Sequence, residues 1–594
     1  MSNTGYILAI TRGHNAGACL LKDGKIVFAI EEERLSRRKY DGGPYASMVK
    51  VLEYTDKIDL LVVAHTQNLK ETAGRVDFSG DDVYTGLARK LGLIDQHGGT
   101  DHPQVVDLAG MHHKLHAGAA FYRSGFDEAV AVIVDGAGTF FPLSSEQKGD
   151  TIAYEVESII KCEYPYNFNT LYKHLGTRDI PLFFQAQMTF NDSLTGPETF
   201  DTIVSDRAGI VKVYEAVTEY CGFSAIEAGK TMGLFPYGEP NSTIPALFET
   251  YGEHSLSNRN LITPTYPNSA VVNNTLHDFL AFNDMADLTT IKNRRDLAYA
   301  LQTQTQDEVV KLIRKAVDIS GSNNVVISGG YGLNCVANYN YLDQLKDEGI
   351  NIYVEPISND AGTSIGAALM MYHHNTGSTE KSPADIYLGP QYDYSDTDII
   401  DLSAKYDAEI TDASQDDVID LITSRNIVTM FQGRCENGPR ALGNRSILYD
   451  PTDPSGKDFV NEVKRREYFR PFAGTILAED VHEWFDLRGM EDSPTMMYAV
   501  NCQPGIEEKI PAIIHVDGTC RIQTVTREQN PHYYDIIKAF KEKTGCPIVF
   551  NTSFNLGGEP LVETLEDALW TLQQSDIEYC YLPEYGKMIK VAND

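Results

Sequence analysis

His112 and His116 lie four residues apart in Met111-His112-His113-Lys114-Leu115-His116-Ala117, a spacing that puts both imidazoles on one face of a helix. Such a pair suits a shared metal ion, since imidazole is the commonest protein metal ligand; a polar surface feature is the competing role. Far downstream, Ser358-Asn359-Asp360-Ala361-Gly362-Thr363 sets a carboxylate at a strand-end turn, ahead of a Gly/Ala-rich helix start. Asp360 would complete a two-histidine, one-carboxylate set with open positions for ligand oxygens, or would serve as a helix N-cap. Two glycine-rich turns, Val134-Asp135-Gly136-Ala137-Gly138-Thr139 and Ser328-Gly329-Gly330-Tyr331-Gly332-Leu333-Asn334, each follow an apolar run. Gly136, Gly138, Gly329 and Gly330 would let backbone N–H groups approach a phosphate. Asp135 could orient a metal or water, and Asn334 or Asn338 could hydrogen-bond a ribose. Tight strand-to-helix turns are the plain alternative.

A second group of candidates is cationic. With 84 acidic against 50 basic residues, the formal charge is −34, which disfavours broad electrostatic capture of nucleic acid without forbidding it. A solvated acidic surface explains most of that charge. Between Arg434 and Arg470, however, eight Lys/Arg stand against six Asp/Glu, a local positive island. Arg440, Arg445, Lys464, Arg466, Arg470 and Arg521 include forked donors that match phosphate oxygens. Ser446, Ser553 and Asn555 could add polar contacts to a phosphate or carbamoyl group. Any one of these cations alone reads as a surface ion pair; clustered around glycine turns, they read as an anion site.

These residues must be positioned by an α/β scaffold. A chain of 594 residues exceeds one ordinary core. Tyr6–Ile10, Gly17–Leu21 and Lys25–Ile30 read as three strands, with Asp23-Gly24 as a hairpin turn. Further strands are expected at Leu60–Ala64, Ala129–Val134, Val325–Ser328 and Ile352–Val354. The histidines fall on a helix whose packed face would include Leu115 and Ala119, although Gly118 weakens that reading. Asp296–Ile319 is expected to be helical. Turn formers at Asn375–Pro383 break the pattern, which separates a first domain at 1–376 from a second at 386–594. Ile427–Phe431 and Pro547–Phe550 are strands of the second, and no repeat of fixed period is present. No signal peptide or bilayer-length apolar run is found, and the nine cysteines form no CxxC pair. A cytoplasmic protein without membrane association is expected.

Taken together, the motifs resemble a known family. His112-x-x-x-His116, Asp135-Gly-x-Gly, Gly329-Gly330 and Asn359-Asp360-x-Gly362 occur in the order found in the universal tRNA threonylcarbamoyladenosine transferase. Glu31-Glu-Glu-Arg34-Leu-Ser-Arg37 and Gly229-Lys230-Thr-Met232-Gly233-Leu-Phe-Pro236-Tyr-Gly238 more closely resemble the NodU/CmcH-type O-carbamoyltransferases. Gly433–Ser446, Lys464–Phe472 and Asn551–Asn555 are similar to that family's YrdC-like domain. The resemblance runs from about residue 5 to residue 590. It implies an actin/hexokinase/heat-shock ATPase-like (ASKHA) first domain of two lobes and a YrdC-like second domain.

The resemblance further implies an ATP-dependent O-carbamoyltransferase, a transferase of one-carbon groups. Carbamoyl phosphate and ATP, the latter with Mg(2+) as its companion, would give carbamoyl adenylate in the second domain. His112, His116 and Asp360 would hold Fe(2+) or a similar divalent metal in the first. The glycine turns and Lys230 would hold the nucleotide, and His14 would act as general base on an acceptor hydroxyl. Family members often carry Asp after this histidine, where Asn15 cannot ionise. Lys39, in the Arg37-Arg38-Lys39 run, would reach an anionic intermediate or form part of a solvated basic patch. The acceptor class is a secondary metabolite, a sugar or a hydroxymethylated nucleobase, and a homo-oligomer is compatible with the sequence. The alternatives are a tRNA threonylcarbamoylation-related transferase, which should show a basic face, and a non-enzymatic ATP-switched ASKHA protein, which has no use for this second domain.

Overall fold

The structure, a computed structural model, describes residues 5–67, 81–97, 102–145, 149–177, 183–258 and 291–592. They divide into two compact units. The first holds the chain as far as Glu32 and from Tyr40 to Ala384, and the second holds Glu33–Lys39 with the chain from Asp385 onward. Glu33–Lys39 is fixed to the second unit through backbone carbonyls. Arg34 donates to Glu436 O at 3.0 Å and Gly438 O at 2.7 Å, and Arg37 donates to Leu561 O at 2.7 Å.

The first sheet of the first unit is made of β1 (Tyr6–Thr11), β2 (Gly17–Lys22), β3 (Lys25–Glu31), β4 (Leu60–Ala64) and β5 (Val105–Asp107), ordered β3-β2-β1-β4-β5. Asp23 and Gly24 join β2 to β3 with φ of 48° and 82°, the paired left-handed turn that Asp-Gly favours. The second sheet starts from β6 (Glu128–Val134), with β7 (Phe140–Ser145) at the side of β8 (Gly149–Glu163), followed by β9 (Asn167–Thr177). β10 (Phe183–Asp192) and β11 (Gly196–Ser205) extend it, while β12 (Phe248–Tyr251) and β13 (His254–Ser257) pair apart from it. β14 (Asn324–Ser328) and β15 (Asn351–Val354) complete the order β10-β11-β9-β8-β6-β14-β15.

The core of the second sheet, β9-β8-β6-β14-β15, repeats the plan of the first. In each, the second strand runs antiparallel to its neighbours and the last two join the first in parallel. This is the two-lobed α/β architecture expected of an ASKHA domain, and it is a repeat of topology that the sequence does not display. The central strands β1, β4, β6 and β14 are almost wholly buried, as parallel strands covered on both faces must be.

Two helices carry the key motifs, His112–Arg123 and Ala361–Thr376. They cross closely: a Cβ on Gly366 would lie 1.9 Å from Leu115 O, and one on Gly118 would lie 2.8 Å from Met370. Gly118, which weakens the helix by propensity, is therefore explained by this crossing. The helix expected at Asp296–Ile319 spans Ile291–Ser320.

In the second unit a sheet runs through Val428–Phe431, Arg445–Tyr449, Ile548–Ser553, Ala473–Leu477 and Thr519–Val525, in that spatial order. Among the described residues no helix is long and apolar enough to cross a membrane. All nine cysteines are free thiols.

Candidate metal centre and anion site

One ligand atom from each of His112, His116, Asp135 and Asp360 lies within 4.8 Å of the others. Each comes from an element end. The histidines occupy the first turns of their helix, Asp135 follows β6, and Asp360 precedes Ala361–Thr376. His112 Nε2 is 3.4 Å from Asp135 Oδ2 and 3.6 Å from Asp360 Oδ1, and His116 Nε2 is 3.6 Å from Asp360 Oδ1. Asp360 stands at the N-cap position, but its side chain makes no cap hydrogen bond; it turns to the histidines instead.

The electrostatics match a cation site. Burial opposes charge on His112, yet Asp135 and Asp360 outweigh it and raise the imidazole pKa to about 10. Burial likewise works against ionised Asp135 and Asp360, but the histidines hold both carboxyls below their ordinary range. The Nε2 atoms of His112 and His116 are buried without a hydrogen-bond partner. Two imidazoles and two carboxylates, with both Nε2 atoms lacking a hydrogen bond, fit a divalent transition cation. Ser328 Oγ, 3.3 Å from His116 Nδ1, orients that ring from behind.

A buried clamp fixes the start of the histidine helix. Glu155 Oε2 accepts from Thr139 N at 2.8 Å and His113 N at 3.3 Å, while its other oxygen pairs with Lys173. Thr139 Oγ1 accepts from His112 N at 3.1 Å and donates to Ala109 O at 2.9 Å. The turn carrying Asp135 and the helix carrying the histidines are thus joined through one carboxylate. Lys173 outweighs the cost of burial and lowers Glu155 to a pKa of about 2. His113 points away from the quartet, with Nδ1 2.7 Å from Ser158 Oγ.

The glycine-rich turns lie beside the quartet, but several of their groups are already engaged. Gly329 has φ 91°, and a Cβ there would meet Val134 O at 2.4 Å; glycine is required for β6 and β14 to lie this close. Gly330 N donates to Asp135 Oδ1 at 3.0 Å, which aims that carboxylate. Gly138 N donates to Glu155 O at 2.9 Å. Asn334 caps its helix through Ala337 N and exchanges hydrogen bonds with Gln302 at 3.0 and 3.1 Å, so its amide is internally satisfied. Asn338 Nδ2 donates to Gly332 O at 2.8 Å. Gly136 lies under Lys212 and Glu215: a Cβ there would be 3.7 Å from Lys212 Nζ and 3.1 Å from Glu215 Oε1. Lys230 pairs with Glu227 at 2.7 Å. His14 is exposed beyond the end of β1. Lys39 belongs to the second unit, where it pairs with Glu33 at 2.6 Å.

The second unit gathers like charge. Arg466 is held well below the usual guanidinium range, first by burial and then by Arg470, Arg521 and Arg440, which Glu467 only partly offsets. Lys464 is lowered by burial, Arg466 and Arg470. Its ammonium donates to Asn555 O at 2.8 Å and to Ser553 O, while Ser553 Oγ donates to Asn555 Oδ1 at 2.7 Å. These groups therefore form one assembly, with Lys464 fixing the Ser553–Asn555 turn.

Arg445 is different. It is fully buried and donates to Gln432 O, Asn444 O, Gly433 O and Glu563 O at 2.5–3.3 Å. Those bonds use all the guanidinium donors, so Arg445 shapes the loop and has none left for an anion. Glu436 completes that loop by accepting from Leu442 N at 2.6 Å and Asn444 N at 2.9 Å. Ser446 Oγ accepts from Gly443 N at 2.9 Å.

Family models for the carbamoyltransferase N-terminus and C-terminus match residues 99–369 and 419–587. Nodulation protein NolNO of Sinorhizobium fredii is 31% identical over 96% of this chain and 78% of its own length. The chain belongs to the carbamoyltransferase family. Nodulation protein NolO of Bradyrhizobium diazoefficiens is also 31% identical, over 79% of this chain and 76% of its own length. The crystal structure of full-length HypF in its phosphate- and nucleotide-bound form aligns with a TM-score of 0.37 at 13% identity, covering 63% of this chain and 56% of that one. These are loose structural likenesses, and the assignment rests on the sequence matches. The histidine–aspartate quartet of this carbamoyltransferase lies wholly inside the first matched segment, and the arginine assembly lies inside the second.

Glu155, Lys212 and Glu436 were not among the candidates that the sequence offers. Only Glu436 lay inside a recognisable motif. Glu155 sits in the middle of a long strand, where nothing local separates it from an ordinary surface acid.

Proposed function

We propose that this carbamoyltransferase uses ATP and carbamoyl phosphate and carbamoylates a hydroxyl group in two steps. On the second unit, carbamoyl phosphate, water and ATP give carbamoyl adenylate, phosphate and pyrophosphate. On the first, an acceptor oxygen bonds to the carbamoyl carbon as the bond to the adenylate phosphate breaks, releasing AMP and the hydroxyl proton. Activation as a mixed anhydride is needed because carbamate is a poor electrophile.

In this reading Arg440, Arg466, Arg470 and Arg521 bind the phosphoryl oxygens, while Lys464, Ser553 and Asn555 shape the turn beside them. Arg445 and Ser446 act on the binding loop. His112, His116, Asp135 and Asp360 hold a divalent cation such as Fe(2+), which supplies Lewis-acid polarisation of a ligand oxygen when bound. The turns at Gly136–Gly138 and Gly329–Gly330 pack beside the nucleotide, with Asn334 and Lys230 as outlying supports. His14 receives the hydroxyl proton. The acceptor is a secondary metabolite, a sugar or a hydroxymethylated nucleobase, and the acidic protein favours a neutral or cationic one.

The observation that supports this most is the gathering of Arg440, Arg470 and Arg521 about the buried Arg466, whose guanidinium they depress and whose repulsion a polyphosphate would relieve. Incubation with ATP, carbamoyl phosphate and a panel of hydroxyl compounds should yield AMP and a product heavier by one carbamoyl substitution. ATP consumption that ignores carbamoyl phosphate and forms no AMP would overturn the proposal.

A further inference from the structure

His65 was not singled out by any motif, yet backbone pairing sets it in the corner where the elements carrying the quartet meet the end of β1. It follows β4 directly, and β4 pairs in parallel with β1 so that Ala64 stands beside Thr11. His65 therefore flanks the Arg12-Gly13-His14 segment that leaves β1. Its Nε2 lies 3.9 Å from where a Gly13 Cβ would be. Three further bonds tie this corner to the elements of the quartet. Thr66 O accepts from Phe140 N at 3.0 Å, just beyond the Asp135 turn. Thr363 Oγ1 donates to Thr11 Oγ1 at 3.0 Å, which sets the helix after Asp360 on the end of β1. Val63 O accepts from Leu108 N at 2.9 Å, in the approach to the histidine helix.

The tautomer is fixed as well. His65 Nδ1 accepts from Gln67 N at 3.2 Å, so a neutral ring carries its proton on Nε2. Gln67 is itself braced, since its carbonyl accepts from Arg12 Nη2 at 2.9 Å. Burial, then the neighbouring Arg12 guanidinium, keep the ring neutral. A neutral imidazole with a fixed N–H is a hydrogen-bond donor that does not lose its proton to solvent as pH changes about neutrality.

We propose that His65 is a hydrogen-bond donor of the transfer site, its Nε2–H directed to the carbamoyl carbonyl oxygen as that oxygen gains negative charge. This rests on the two-step reading above and adds the group that stabilises the developing oxyanion. Donors fixed in advance at such a position are worth about 10²–10³-fold in rate.

The test needs no acceptor other than water. Full-length enzyme loaded with divalent iron is mixed with ATP and carbamoyl phosphate, and pyrophosphate and AMP are followed separately in a single turnover. His65→Phe should leave the pyrophosphate burst intact and slow AMP release about 100-fold. His65→Gln, whose amide keeps an N–H near the Nε2 position, should stay within about tenfold of the parent. Ring-15N-histidine spectra of the parent, with the His65 signal identified by its loss in His65→Gln, should show the Nε2–H tautomer. Equal AMP release by His65→Phe and the parent, equal damage in the Phe and Gln variants, or an Nδ1–H tautomer would each overturn the assignment. A parent enzyme that releases no pyrophosphate would instead bring down the two-step reading itself.

Discussion

The two units solve opposite electrostatic problems. In the first, an imidazole pair is set against two carboxylates, so the quartet is balanced: the carboxylates favour charged His112, and the histidines hold both carboxyls ionised. In the second, Arg440, Arg466, Arg470 and Arg521 are gathered with Lys464, and burial combines with their mutual repulsion. A balanced site is ready to exchange a proton for a cation. On the proposed function, the accumulated like charge is offset when an anion binds. On the same reading, the contrast accounts for phosphoryl chemistry on a chain of net charge −34: the positive charge is concentrated where that chemistry would use it.

The sharpest way to break this comparison is a reciprocal pair of variants. His116→Ala should abolish iron binding and reduce carbamoyl transfer by more than the roughly 100-fold typical of outer-shell changes, leaving pyrophosphate release on the second unit intact. Arg466→Met should do the reverse, losing pyrophosphate release by about 10²–10³-fold while iron binding persists. Iron content by metal analysis and pyrophosphate by coupled assay decide both. If either variant loses both functions while still folded, the two sites are not separable.

Next in size is a contrast within the second unit. Arg445→Met should cost about 3–5 kcal/mol in urea unfolding, because four buried carbonyls lose their donor. Arg521→Met should be neutral or stabilising, since it relieves repulsion, yet it should weaken pyrophosphate binding measured by calorimetry. Similar stability losses in the two would contradict the division between a structural and a ligand-facing arginine.

A smaller effect is expected at the clamp of the first unit. Glu155→Gln should lower iron affinity by roughly 10–100-fold, as the helix start loses its charged acceptor. The same carboxyl predicts an acid limb. Its pKa falls from 4.5 in the unfolded chain to about 2 in the folded one, so its stabilisation is fully present above 4.5 and is lost as pH falls toward 2. Chemical denaturation across that window should show a shallower fall in Glu155→Gln than in the parent.

Much of this was readable from residue order. The hairpin at Asp23-Gly24 follows from the intrinsic preference of that dipeptide, and the buried strands follow from short apolar runs. The spacing of His112 and His116 follows from helical geometry, and Lys464–Arg470 is a contiguous cationic stretch. Arg445 was legible as a cation but not as a structural one, because its partners are backbone carbonyls at Gln432, Gly433, Asn444 and Glu563. Glu33–Lys39 carries a motif early in the chain, and only packing shows that it joins the second unit.

The sequence by itself determined which groups were available: two histidines on one helical face, acids at strand ends, glycines where backbones must approach, and a concentration of arginines. These follow from local rules, in which side-chain chemistry and a few residues of spacing suffice. Tertiary structure alone decided which of them meet. Asp360 became a partner of His112 and His116 across some 245 residues of chain, and Asp135 joined them because β6 and β14 pair in parallel. His65 entered the same corner through the register of β4 on β1. Register and helix crossing are long-range properties, set by burial of whole faces, and no short window of sequence contains them.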